Sequence, residues 1–70
     1  MKLGNNLRRF RFDKNEISQE ELGKAVGVSR QSIHSIEKGK FVPSTLLALR
    51  LAKFFNTTVD QLFYLIEERE

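Results

Sequence analysis

The sequence contains no cysteine and no tryptophan, and its 70 residues include only one histidine, one proline and one methionine. Without cysteine there can be neither a disulfide nor a thiolate metal site, and His34 cannot form a zinc site alone. A chain of this length buries only about 60% of the surface that its unfolded form exposes. Helix packing or self-association must therefore supply its stability.

Long apolar runs are also missing. No segment approaches the ~18 consecutive apolar residues of a membrane helix, and residues 1–6 hold no apolar stretch of signal-peptide length. We therefore expect one cytoplasmic domain over residues 1–70, without a membrane partner, a metal or a cofactor. Catalysis needs a nucleophile–base pair or a metal cluster in a cleft. Because the sequence has one histidine and its carboxylates are scattered, we see no such site and predict that the protein is not an enzyme.

The charges are divided unevenly along the chain, whose net charge is +3. Residues 1–53 carry eleven Lys or Arg against five Asp or Glu, a net +6, whereas residues 54–70 carry one Arg against four acids, a net −3. A basic body suits a polyanionic partner. An ordinary solvated surface would also accommodate this excess of positive charge. The residue pattern therefore has to decide between a binding surface for a polyanion and a solvated surface.

The two ends of the chain allow two secondary structures. Leu3, Leu7 and Phe10 recur at spacings of four and three, which predicts one face of a first helix ending near residues 13–15. Tyr64–Ile66 is β-prone, however, and residues 1–3 could pair with it as a small β-ribbon. The fold class that we predict is all-α with five helices, and the ribbon is an open alternative for the termini.

The four later helices are predicted from their caps. Each begins at a residue whose side-chain oxygen can accept a hydrogen bond from the first turn. These N-caps are Ser18, Ser29, Ser44 and Thr58. Glu21 and Gln61 complete two predicted capping boxes, and Gly27 and Gly39 end the second and third helices. The predicted inward residues of the fourth helix are Leu47, Ala48, Leu51, Ala52 and Phe55.

The segment 19–38, QEELGKAVGVSRQSIHSIEK, predicts two short helices joined by a tight turn at residues 27–29, the arrangement of a helix-turn-helix. Such helices cross closely, so the first needs a small residue, which Gly23 supplies, and Gly27 permits positive φ in the turn. With Ile33 and Ile36 inward, the opposite face of the third helix carries no acid and can hydrogen-bond to base edges in a major groove. Its residues are Arg30, Gln31, His34, Ser35 and Lys38.

The segment 18–44, SQEELGKAVGVSRQSIHSIEKGKFVPS, resembles the phage-repressor and Cro-type helix-turn-helix family, also called the xenobiotic-response-element family. The whole chain is similar to minimal, single-domain bacterial and archaeal members over about residues 5–66. The joint presence of SQEEL, VGVSRQSI, IEKGK, PS and a closing LF makes this resemblance specific. It implies a compact five-helix repressor-like DNA-binding domain. Gly23 departs from the pattern, because alanine is usual there, and this indicates tight packing or lower stability.

The resemblance also implies roles for individual residues. The implied base-contacting residues are Ser29, Arg30, Gln31 and Ser35. The implied phosphate-contacting groups are Gln19, Lys38, Lys40 and the backbone amides near Phe41. Arg11 and Glu37 match a pair that joins the first helix to the third in the family, so we interpret them as structural.

Several of these side chains have a simpler interpretation. Arg30 has the chemistry to bind guanine and Gln31 to bind adenine, but both could be merely solvent-exposed. Ser35 could bond to a base, a phosphate or water. His34 could contact DNA or sense pH, although a lone exposed imidazole is usually incidental. Arg8 and Arg9 could lie near the DNA backbone or form a solvated helix face.

The apolar run that precedes the charged end of the chain predicts self-association. One small domain can bury only two of its four residues, Phe63, Tyr64, Leu65 and Ile66. We therefore expect a homodimer through the fifth helix, including Leu62, and a dimerisation tail at residues 63–70, with Leu46 as a further candidate. Two recognition helices related by a two-fold axis would contact half-sites about 34 Å apart in an inverted repeat.

The sequence therefore predicts a homodimeric transcriptional regulator that binds double-stranded DNA sequence-specifically. We interpret it first as a repressor that blocks polymerase. We expect no small-molecule effector, because there is no second domain. Activation through an acidic patch stays open. The alternative is an antitoxin or adaptor module whose main partner is another protein, and the four residues after Ile66 leave that partner little to bind.

Overall fold

Five short helices and two strands make up the protein. The computed structural model describes residues 1–68. In chain order the elements are β1 (Lys2–Asn5), α1 (Leu7–Asp13), α2 (Gln19–Val26), α3 (Arg30–Glu37), α4 (Thr45–Phe54), α5 (Val59–Leu62) and β2 (Phe63–Ile66). The expected helical fold with a ribbon at the termini is confirmed. None of the helices in this part of the chain is long and apolar enough to cross a membrane.

Three of the four predicted N-caps form as expected. Ser18 and Glu21 make a reciprocal capping box, in which each backbone amide donates to the other residue's side chain at 2.9 and 3.1 Å. Ser29 and Ser44 each accept one backbone amide at 3.1 Å. The capping box predicted at Thr58 is wrong, because its hydroxyl caps nothing. The amide of Gln61 instead donates to the Thr58 carbonyl at 3.1 Å, which tightens this single turn.

The core lies where α2, α3 and α4 meet and continues to α1 and α5. Its largest fully buried side chains are Leu7, Leu22, Ile33, Ile36, Leu51 and Leu62. Of the predicted inward residues of α4, four are buried, but Phe55 is only half-buried. The Phe55 ring packs instead against the ring of Phe10, at a centroid distance of 5.5 Å.

The termini form an antiparallel ribbon, in which Lys2 pairs with Ile66 and Asn5 with Phe63. The prediction that Leu3 belongs to the first helix is therefore wrong, and the ribbon extends further than residues 1–3. Asn5 explains the switch from strand to helix, because its Oδ1 accepts the amide of Leu7 at 3.1 Å at the start of α1. Its Nδ2 donates to the Ile36 carbonyl at 2.9 Å and so fixes the ribbon to α3.

The apolar run at residues 62–66 is divided between the core and the surface. Leu62 is fully buried and Phe63 is 7% exposed, so their side chains are not available to a second copy. We correct the predicted dimer interface accordingly: the exposed side chains are those of Tyr64, Leu65 and Ile66. Residues 69 and 70, at the end of the predicted dimerisation tail, lie outside the described residues.

Candidate nucleic-acid interface

The turn between α2 and α3 fixes the direction in which α3 leaves the domain. Gly27 has φ +84°, and its amide donates to the Gly23 carbonyl at 2.8 Å. The Val28 amide donates to the same carbonyl at 2.9 Å. A Cβ at Gly23 would lie 2.6 Å from the carbonyl oxygen of Val28, so the helices cross without room for a side chain. The requirement for a small residue at this crossing is confirmed.

The outer face of α3 presents polar and basic side chains. Ile33 and Ile36 are buried, whereas Arg30, Gln31 and His34 are exposed. Ser35 is half-buried, and Lys38, just after the helix, is exposed. None of the exposed residues of α3 is acidic, and the side chain of its one acid, Glu37, is 7% exposed. The face has the hydrogen-bonding groups that base edges require.

Two grooves lie along α3 and gather most of the predicted site residues. The first groove is lined by Ser29, Gln31, Ser32, Ser35, Lys40 and Phe41, so it combines predicted base contacts with predicted phosphate contacts. The second, which we call the Arg8 groove, is lined by Arg8, Arg11, Gln19, His34, Glu37 and Lys38. Arg30, at the start of α3, is exposed and lines neither of these two grooves.

A bidentate ion pair joins α1 to α3. Arg11 donates from Nε to Oε2 of Glu37 at 2.6 Å and from Nη2 to Oε1 at 3.0 Å. The two side chains are 15% and 7% exposed, and Arg11 Nη1 also donates to the Ile17 carbonyl at 2.8 Å. The hydrogen bond to Glu37 raises the pKa of Arg11, burial opposes the rise, and the charge of Glu37 adds to it. The pair is structural, as we interpreted it.

Gln19 connects this ion pair to the outer face of α3. Its Nε2 donates to Oε1 of Glu37 at 3.1 Å and lies 3.3 Å from Nδ1 of His34. The sequence-based interpretation placed Gln19 against a phosphate and missed both contacts. A signal was present, because His34 and Glu37 are three residues apart and therefore neighbours on one side of a helix.

The sequence left Arg8 and Arg9 open between the DNA backbone and a solvated helix face, and the structure separates the two. Arg8 lies beside His34 and Lys38 in the Arg8 groove. The neighbouring Arg9 does not line this groove, and its side chain is 83% exposed, with Nε 4.0 Å from Asp13 Oδ2. The sequence shows two adjacent arginines and cannot separate them. Because successive residues point in different directions around a helix, only the packing of α1 decides which arginine joins the site.

A closely crossed pair of capped helices, with an acid-free polar face and basic flanks, defines a helix-turn-helix DNA-binding domain. The sequence profile of the helix-turn-helix family matches residues 7–62. The chain therefore belongs to this family, which binds DNA and regulates transcription. It is a family of regulators and not a class of enzymes.

Three relatives show the same relationship. The chain is 53% identical over 51 residues to the uncharacterised HTH-type transcriptional regulator YgzD of Bacillus subtilis, covering 73% of this chain and 77% of that protein. It is 48% identical over 59 residues to an HTH-type transcriptional regulator of Methanocaldococcus jannaschii, covering 84% and 88%. It is 36% identical over 61 residues to the ImmF control region 10 kDa protein of a Bacillus phage, covering 87% and 67%.

Proposed function

We propose that the protein is a homodimeric transcriptional repressor that binds an inverted-repeat operator through α3 in the major groove. The observation that carries the proposal is the exposed face of α3, on which Arg30 and Gln31 lie together with no acid among the exposed residues. The family to which the chain belongs binds DNA and regulates transcription, which supports these two parts of the proposal. Such a protein would act in the cytoplasm, where the DNA of a bacterium or archaeon is.

The base contacts of this proposal come from α3 and its cap. Arg30 matches the paired acceptors of guanine, and Gln31 matches the donor and acceptor of adenine. Ser29 and Ser35 are shorter and contact bases only at close approach. Lys40 and the backbone near Phe41 border the groove that contains Gln31 and Ser35. They would hold the phosphates beside the bases that are read.

The dimer of this proposal forms through the exposed apolar side chains of the terminal ribbon. Tyr64, Leu65 and Ile66 are 46%, 67% and 41% exposed, and Met1 beside them is 77% exposed. Tyr64 and Ile66 lie on one face of the ribbon, against Gly4, and Leu65, which pairs with Leu3, lies on the opposite face. Exposed apolar side chains on a small domain favour a partner, and a second copy packed against β2 would contact both faces. Residues 1–70 then form one domain, with residues 64–66 as its dimerisation surface. Leu46, on α4, is also exposed and could extend the interface.

Repression is the regulatory role that we propose for this domain. The domain would block polymerase by occupying DNA, and protein level or a partner would control it. The name of the phage relative refers to a control region, which supports a regulatory role here. A different protein bound to the same apolar surface would make the chain an antitoxin or adaptor module instead.

The experiment that tests the proposal is selection of bound duplexes from a random DNA pool at physiological salt. Enrichment of an inverted repeat with half-sites about 34 Å apart is the expected result. In the enriched duplex, Arg30→Ala or Gln31→Ala should reduce discrimination by about 1–3 kcal/mol while the fold stays intact. Lys24→Ala, an exposed basic residue at the end of α2, is the matched control and should leave discrimination unchanged.

Two results would contradict the proposal. A folded protein that enriches no sequence would favour the antitoxin or adaptor alternative. If Arg30→Ala and Gln31→Ala lost equal affinity for every duplex, these residues would be phosphate contacts. Other residues would then have to recognise the bases.

A further inference from the structure

The orientation of the Gln19 side-chain amide follows from its neighbours. Its nitrogen lies 3.1 Å from Oε1 of Glu37, an oxygen that also accepts from Arg11 at 3.0 Å. An ionised carboxylate only accepts hydrogen bonds, so the amide nitrogen, and not the amide oxygen, must face it. The same nitrogen lies 3.3 Å from the His34 ring. The two N–H groups of Gln19 are thus directed at Glu37 and His34, and Oε1 is the other polar atom of its side chain.

This orientation determines the tautomer of His34. The ring atom that faces the amide nitrogen is Nδ1. Since that nitrogen can only donate, Nδ1 must accept, and the ring proton of neutral His34 is then on Nε2. Nε2 is the ring nitrogen further from the backbone, and the His34 side chain is exposed. The exposed end of the ring is therefore a hydrogen-bond donor held in one direction.

The surroundings of His34 favour an anion. The Arg8 groove has a volume of about 300 Å³, and its floor contains the Arg11–Glu37 pair, whose charges cancel. Arg8 and Lys38 then leave the groove with a net positive charge. Gln19 Oε1, which accepts no hydrogen bond within residues 1–68, would repel a phosphate, whereas the Nε2–H of His34 would donate to one.

We propose that His34 donates from Nε2 to a phosphate of the DNA backbone, in the Arg8 groove beside Arg8 and Lys38. Gln19 is a positioning residue that holds the imidazole in the donor tautomer, and it does not itself contact the phosphate. The proposal rests on DNA binding by the face of α3. It changes the role that family resemblance implies for Gln19 and gives a role to His34 and Arg8.

The first test measures binding to the enriched duplex and to a mixed-sequence duplex of equal length at mildly alkaline pH. His34→Ala should weaken binding to both by roughly ten-fold, because a hydrogen bond to a charged group is lost. His34→Gln, which keeps a donor, should recover part of the affinity. In a double-mutant cycle, Gln19→Ala combined with His34→Ala should bind no more weakly than His34→Ala alone. A direct Gln19–phosphate contact would instead make the two losses add.

Arg8 has a matched control next to it in the sequence. Arg8→Gln should reduce the slope of log affinity against log salt by about one for each contact. Arg9→Gln removes the same charge from the same helix outside the groove and should leave that slope within error. An equal effect of the two variants would mean that α1 contributes only its general charge, and the groove assignment would be overturned.

The second test needs no DNA and so separates this proposal from the proposed function. The chain has a single histidine, so nitrogen-15 chemical shifts of the imidazole report His34 without ambiguity. The expected result is Nε2–H as the populated neutral tautomer, with a measurable Nδ1–H fraction in Gln19→Ala. A proton on Nδ1 in the wild-type protein would overturn the positioning role of Gln19. Unchanged affinity of His34→Ala on both duplexes would overturn the phosphate contact, even if specific binding holds.

Discussion

The helix-turn-helix unit, formed by α2, α3 and the turn between them, differs from the terminal ribbon in what holds it together. Both contain a buried glycine against a neighbouring segment. At Gly23 the atom in the way of a Cβ is the backbone oxygen of Val28, at 2.6 Å. At Gly4 the atoms in the way belong to the ends of side chains, the Tyr64 ring and, at 2.9 Å, Cδ1 of Ile66.

The difference is one of rigidity. The helix-turn-helix unit is held by backbone contact and by the ion pair of Arg11 and Glu37, so its geometry is complete in one chain. The ribbon has two strands of four residues, and most of the second strand is exposed. An isolated two-stranded ribbon is only marginally stable in water. One region is therefore preformed for DNA, and the other can adapt its side chains to a partner.

The largest effect is expected at the ion pair that fixes the helix-turn-helix unit to α1. Arg11→Leu would leave Glu37 charged and nearly buried, with Gln19 as its remaining side-chain partner. We expect a loss of about 3 kcal/mol in the free energy of unfolding, measured by urea titration. Adding Glu37→Leu should recover much of the loss. Arg9→Leu, which disturbs only an exposed 4.0 Å pair, should change stability by less than about 0.5 kcal/mol.

Gly23→Ala tests the backbone contact directly. Alanine gains about 1 kcal/mol of helix propensity over glycine, but its Cβ would meet the Val28 carbonyl, which can move only with the turn. We expect overpacking to prevail, with a net loss of about 2 kcal/mol. For a domain of this size, a loss of that kind lowers Tm by roughly 10 °C. A higher Tm for Gly23→Ala would show that the turn yields easily, and the two regions would then not differ.

Leu65→Lys tests whether the ribbon is completed by a second copy. The residue is 67% exposed, so the monomer should keep its fold and helical spectrum. Burying the new charge in a symmetric interface should weaken the dimer at least ten-fold, which is about 1.4 kcal/mol, as measured by sedimentation. Phe12→Lys, at an apolar residue of α1 that is 63% exposed, is the control and should leave the dimer intact. A wild-type protein that is monomeric at micromolar concentration would contradict the dimer.

Gly4→Ala should have the smallest effect on folding. The Tyr64 and Ile66 side chains can rotate away from a new methyl group, so we expect a loss of less than about 1 kcal/mol in the free energy of unfolding. Sedimentation should show a larger change than thermal unfolding does, because the displaced side chains belong to the proposed interface. A destabilisation as large as that of Gly23→Ala would mean that the ribbon is as rigid as the helix-turn-helix unit.

Much of the helical architecture could be predicted because its signals are local. Ser18, Ser29 and Ser44 cap the helices that they were predicted to cap, since a cap depends on residues only three positions away. The failures have a different origin. Leu3 fits a helical spacing but pairs with Leu65 in the ribbon. At the start of α5, the Gln61 amide donates to the Thr58 carbonyl and not to the Thr58 hydroxyl.

The amino-acid order by itself determined the helix-turn-helix unit and its face without exposed acids, because caps, a left-handed glycine and apolar spacing act within one or two turns. The tertiary structure decided which of Arg8 and Arg9 joins the site and that Leu62 and Phe63 are buried. It also decided that the Gln19 amide turns toward Glu37 and His34. These outcomes depend on contacts between residues 15 or more positions apart, whose distances no local pattern encodes.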